Sequence, residues 1–173
     1  MLETTKVEKV AANQVELEKV EIHTVDKDQT RIEVALSLNG RREIVEKITL
    51  NNDEAILMAT GLATIDAIRL LVPRLLDCQI NYIKQVESKS NTPSRLQCLL
   101  SLRDSGKETL LNGNITITNS VYKAVADSIL VALSNTLERM IELQQRKEKI
   151  NRTRDIVKCL DKGTTKKYKS YFT

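Results

Sequence analysis

The side chains able to do chemistry are few in this 173-residue chain, and no run of sequence gathers them. His23 is the only histidine, so a histidine metal site, a Ser-His-Asp triad or a Cys-His pair would each have to pass through it. It stands near Val25 and Asp26 at the end of a strand-like run, with no motif around it. Cys78, Cys98 and Cys159 are odd in number, widely spaced and without CxxC pairing, which reads as reduced intracellular thiols, two of them buried as small hydrophobes. Neither GxxxxGK[ST] nor GxGxxG occurs, and the chain holds only five glycines. Paired carboxylates are the remaining route to acid–base work. Asp53 and Glu54 are better placed as the acidic first turn of a helix, near its positive dipole end. Asp66 and Asp127 sit inside apolar helical runs, where an exposed helix face accounts for them, Asp127 more readily than Asp66. No catalytic residue set, metal set or cofactor motif emerges, so the chain is expected not to be an enzyme.

The elements that position these residues are easier to read. Val15, Leu17, Val20 and Ile22 predict a first strand across 15–25, with a bulge where the alternation slips. Ile32, Val34, Leu36 and Leu38 then alternate strictly, Asn39-Gly40 follows, and Ile44, Ile48 and Leu50 resume the pattern. Asn-Gly between two alternating runs is the preferred type I′ hairpin turn, because both central residues need positive φ. Asn51-Asn52-Asp53-Glu54 predicts a helix start, and helical spacing of Ile56, Leu57, Ala63, Ile65, Ile68, Leu71 and Leu75 carries the helix across 54–76. Gly61 either interrupts this helix or marks its beginning, and Pro73 kinks or ends it.

The same plan then repeats. Ile80, Tyr82 and Val86 predict a strand, residues 88–94 a loop, and Leu96, Cys98, Leu100 and Leu102 a second alternating strand. Residues 104–107 form the hairpin turn, and 109–118 the returning strand. Thr118, Asn119 or Ser120 caps a second helix, apolar at Val121, Val125, Ile129, Leu133, Leu137 and Ile141 across 121–143. From Gln144 the helix turns polar, and after Gly163 the chain is expected to fray. The expected fold is therefore α+β: two β-β-β-α repeats, antiparallel sheets covered by two helices, with a long C-terminal helix and a basic tail. Residues 1–13 form a flexible arm, 14–145 the two-unit domain, and 146–173 a basic extension.

Composition bounds the partners. Apolar residues make up 41% and aromatics 3%, with no tryptophan, so aliphatic side chains must build the core and base- or sugar-stacking surfaces are scarce. The net charge of +4 belongs to the end of the chain. From Arg146 onward ten Lys/Arg face three Asp/Glu, leaving 17 basic residues against 20 acidic ones elsewhere. Such a block is a solvated tail or a phosphate-binding arm, and a nucleic-acid-binding role through it is the alternative function. Residues 2–20 are studded with Glu and Lys, unlike a signal peptide, and no run approaches 18 apolar residues. A soluble cytoplasmic protein with no membrane contact is expected.

Two family resemblances follow from this order of elements. The α-β-β-β-α order across 54–143 is similar to a double-stranded-RNA-binding domain in topology, but Lys123 is alone where that family groups its helix-start lysines. The second resemblance uses both halves and covers roughly residues 15–140. The segment from Gly61 to Ala67 resembles the Gly-x-Gly-Pro-Val-Asp-Ala motif of the C-terminal regulatory domain of 2-isopropylmalate synthases and citramalate synthases, through Gly61, Ile65, Asp66 and Ala67. Residues 114–134 resemble that family's second helix entry. The resemblance implies a homodimer that binds an amino-acid effector, such as leucine, between its halves and regulates an enzyme of amino-acid biosynthesis. Effector contacts are then expected at Gly61, Thr64, Asp66, Gly113, Asn114, Thr118 and Ser120, with Asp66 receiving an amino group and the second helix start a carboxylate. Ala63 and Thr64 replace a Gly and a Pro of the family motif, Asn114 and Thr116 replace two glycines, and Ser120 replaces an Asp, so the scaffold matches more closely than the pocket.

Overall fold

The computed structural model describes residues 14–73, 77–87, 93–104 and 106–168, with side chains described as far as Ile156. The expected arm 1–13, most of the 88–94 loop and the last residues, 169–173, lie outside the described residues. Strands β1 (Glu16–Thr24), β2 (Gln29–Leu38) and β3 (Arg41–Leu50) lead into helix α1 (Asp53–Leu71). Strands β4 (Cys78–Val86), β5 (Arg95–Asp104) and β6 (Lys107–Thr116) lead into helix α2 (Val121–Tyr168). The strands form two separate three-stranded antiparallel meanders, β1-β2-β3 and β4-β5-β6. The chain is thus an α+β fold of two β-β-β-α units.

Local chemistry explains most boundaries. Asn39 and Gly40 both take positive φ, 53° and 81°, as the type I′ turn requires. Asn52 caps α1: its side chain accepts the Ala55 amide at 2.8 Å, with Asp53 and Glu54 in the first turn. The helix ends at Leu71, five residues before the expected end, because Pro73 cannot continue it. Gly61 neither interrupts nor opens the helix; α1 runs straight through it. The return strand of the second unit, β6, lies two residues earlier than its apolar pattern indicated. Helix α2 continues through Gly163 to Tyr168, a stretch over which the sequence leads one to expect fraying. A lone Gly weakens a helix by about 1 kcal/mol, which is a bias and not a barrier.

Each sheet lays its inward face on its own helix. Ile32, Val34 and Leu36 of β2 and their counterparts Leu96, Cys98 and Leu100 of β5 are fully buried. Helix α1 rests on β2 and β3 and also touches β4, while α2 rests on β5 and β6 and also touches β1. That crossed contact, together with α1 against α2, joins the units around one core. The repeat extends to irregularities, since β1 bulges between Leu17 and Lys19 and β4 between Ile80 and Tyr82.

Close packing at the centre depends on small residues. Thr60, Gly61, Ala63, Thr64 and Ala67 give α1 a narrow buried flank. The hydroxyls of Thr60 and Thr64 donate to the carbonyls of Ile56 and Thr60, each at 2.8 Å, so these buried polar atoms are satisfied within the helix. A Cβ added at Gly61 would come within 2.5 and 2.8 Å of the side-chain tips of Ile83 and Ile80. One added at Gly113 in β6 would meet the backbone carbonyl of Ser128 in α2 and lie 2.7 Å from the Cys98 sulfur. Both glycines serve helix–sheet contact.

Candidate functional site

The two helix entries differ. At the first, Asn51 is tied into the β1–β2 turn: its amide donates to the Asp28 carbonyl at 2.8 Å and its side chain to the Lys27 carbonyl at 3.2 Å. Thr30 donates its hydroxyl to the Asn51 side-chain oxygen at 3.0 Å. At the second entry the cap is looser, with Ser120 Oγ accepting the Lys123 amide at 3.4 Å. An open hollow of about 500 Å³ lies there, lined by Asn114, Thr118, Asn119, Ser120, Lys123 and Asp127. Lys123 and Asp127 also line an adjoining groove of about 700 Å³ beneath the start of β1, whose apolar wall includes Val15, Leu17, Ile115, Leu130 and Leu137.

Of the residues that the sequence singled out, Asn114, Thr118 and Ser120 therefore come together. Gly113 is adjacent in sequence but buried under α2, whose backbone approaches it at Ser128. Gly61 lies in the interior of α1 against Ile80, Ile83 and Ile129, and Thr64 is buried with its hydroxyl committed to Thr60. Asp66 is half-exposed and engaged by two cations, Lys47 at 2.7 Å and Arg69 at 2.9 Å, while Arg69 also donates to the Cys78 carbonyl at 2.8 Å. None of these three α1 residues lines the hollow at the α2 entry. Among the described residues, the carboxylate facing that hollow is Asp127.

Helical spacing alone gave Asp127 an exposed face; the structure half-buries it beside the groove that it lines together with Val15 and Leu17. Burial raises its carboxyl pKa above the ordinary value, and the nearby Lys123 ammonium opposes that rise. A raised folded-state pKa means that the folded chain holds this proton more tightly than the unfolded chain. Stability is therefore lost as pH climbs from the unfolded value, near 3.9, through the folded one. Asp127→Asn is expected to unfold at a higher temperature than the wild type at pH 7. The difference should shrink as pH falls below about 4. Melting curves across that range check both the sign and the window.

Elsewhere the reactive groups are muted. His23 is exposed and lies 3.0 Å from a Glu21 carboxylate oxygen on its own strand. Burial pushes the Cys78 thiol up to about 11 and the Cys98 thiol upward as well, which keeps both protonated. Among the described residues no three His, Cys, Asp or Glu side chains are placed to share a metal ion. No helix among them is long and apolar enough to cross a membrane. No protein-family model and no curated protein matches the sequence.

Proposed function

We propose that the chain is a non-catalytic regulatory module that binds an amino acid or a related small acid at the α2 entry and works as a homodimer. Its resemblance to the 2-isopropylmalate synthase regulatory domain gives the same class of function, though not the same set of contacts, and an amino-acid biosynthetic enzyme is then the partner regulated. The observation that carries the proposal is the gathering of Asn114, Thr118, Ser120, Lys123 and Asp127 around one open hollow beside a groove that has an apolar wall and also carries Glu16, Glu138 and Glu142. A carboxylate suits Lys123 and the helix start, where amide N–H groups and the dipole favour negative charge. Asp127 suits an ammonium group. Ile115 and Leu130 suit an aliphatic side chain. Asp127 is also held at a cost to the fold, as its raised pKa implies, which fits a group retained for binding.

The dimer has support from the outer face of the first sheet, where Ile44, Ile48 and Leu50 are 45%, 63% and 63% exposed on a single edge strand. A thermal-shift screen of the full chain with amino acids and 2-oxo acids is expected to give at least one stabilising ligand, whose effect Asp127→Asn or Lys123→Gln removes. Sedimentation of the same sample should give a dimer at micromolar concentration. A flat screen together with a monomer would overturn the reading.

A further inference from the structure

The two places where a helix meets the first strand of the other unit are built differently. In the first unit, Arg69 bridges from α1 to the start of β4. Its guanidinium donates to the Cys78 carbonyl at 2.8 Å and is held by Asp66 at 2.9 Å, while Lys47 meets the same carboxylate at 2.7 Å. An arginine suits such a place, because its methylene stem covers apolar surface while its guanidinium satisfies carboxylate and carbonyl oxygens.

Between α2 and the start of β1 the corresponding space is the groove of about 700 Å³. Four acids line it, Glu16 on β1 and Asp127, Glu138 and Glu142 on α2, against one cation, Lys123, which also lines the hollow. Glu142 lies 3.7 Å from Arg146, whereas Glu16 and Glu138 pair with no cation among the described residues. Asp127 and Glu138 stand eleven residues apart, three turns of helix, so they share one face of α2. Leu130, Val131 and Ser134 lie between them, and Leu17 of β1 and Ile115 of β6 complete the wall. Val131 is 52% exposed, an apolar surface without cover. The groove is thus apolar along its length and negative beyond, with amino-acid-binding groups at its Lys123 end.

We infer, resting on the regulatory reading, that the effector is a basic amino acid, L-arginine or L-lysine, lying along α2 from the hollow to Glu138. Its α-carboxylate meets Lys123 and the α2 start, and its α-ammonium meets Asp127. The methylene stem runs over Leu130 and Val131, and the distal cation reaches Glu138, with Glu16 near it on β1. Asp127 and Glu138 are roughly 16 Å apart along the axis, a span that two carboxylate side chains and one extended ligand of this length cover together. A leucine side chain is too short to reach Glu138 and brings no charge to it. The ligand places in the second unit the stem and cation that Arg69 supplies from within the first.

The test is isothermal titration calorimetry of the full chain with L-arginine, L-lysine, L-citrulline, L-norleucine and L-leucine. Citrulline keeps the shape of arginine, and norleucine the stem of lysine, each without the distal charge. Arginine or lysine is expected to bind about tenfold or more tightly than its neutral counterpart and than leucine, the effect of one charge-assisted hydrogen bond. Glu138→Gln, at an exposed position that leaves the core untouched, should bring the cationic ligand down to the affinity of its neutral counterpart and leave the neutral one unchanged. Three results would overturn the inference while the regulatory reading stands: a neutral amino acid that binds as tightly as arginine and lysine, a cation preference that survives in Glu138→Gln, or a 2-oxo acid that binds where arginine and lysine do not. No binding by any of the five, together with a flat screen of 2-oxo acids, would overturn both.

Discussion

Replacing Gly113 by alanine is expected to destabilise the protein by about 3 kcal/mol or more, among the largest effects of any single methyl group. The new carbon would meet the Ser128 carbonyl of α2, a backbone atom that moves only if the helix moves. It would also lie 2.7 Å from the Cys98 sulfur, whose side chain is buried against the same helix. Lifting α2 off β6 would open the second half of the core around Leu96, Leu100, Val125 and Ile129, all of which are fully buried. For a chain of this size the loss corresponds to a melting temperature lower by roughly 10 °C. Differential scanning calorimetry of the variant checks it. A shift below about 2 °C would mean that α2 does not press on β6 as described.

The second large effect belongs to Ile129, which occupies in α2 the place that Gly61 occupies in α1. Its side chain is fully buried and its tip would lie 3.4 Å from a methyl group at Gly61. The two helices thus interlock by a large residue on one against a bare backbone on the other. Ile129→Ala should cost about 3–4 kcal/mol, the transfer energy of the lost methyl groups plus that of the cavity left at the junction of the two units. Gly61→Ala should behave differently. The atoms it displaces are the flexible ends of Ile80 and Ile83, and alanine regains about 1 kcal/mol of helix propensity over glycine. Its net change is expected to stay within about 1 kcal/mol. Urea unfolding of the two variants gives the comparison. A Gly61→Ala loss as large as that of Ile129→Ala would contradict the interlock.

This contrast also marks how far the sequence could be read. The Asn39-Gly40 turn, the Asn52 cap and the two alternating strands β2 and β5 follow from local rules, and the β-β-β-α repeat is legible from them. The bulge in β1 shows as a slip between Leu17 and Lys19, whereas the matching bulge in β4 is hidden because Ile80, Tyr82 and Ile83 are apolar on both sides of it. Gly61 reads as a breaker or a ligand contact because its true neighbours, Ile80, Ile83 and Ile129, are distant in sequence. Asp127 reads as a surface residue because helical spacing cannot foresee the groove that it lines together with the start of β1 from the other unit. Asn114, Thr118 and Ser120 stand together because cap residues and hollow coincide at the second helix entry. The pairing of Asp66 with Lys47 and Arg69 is not legible in the sequence, because these cations come from β3 and from the next turn of α1.

The most direct test of the regulatory reading is residue-resolved NMR of the full chain titrated with the stabilising amino acid or 2-oxo acid from the thermal screen. Saturable amide shifts are predicted at Asn114, Thr118, Ser120, Lys123 and Asp127, with Ile115 and Leu130 following when the ligand carries an aliphatic side chain. Shifts centred instead on Thr64 and Asp66 of α1, or none at the α2 entry at saturating ligand, would contradict it.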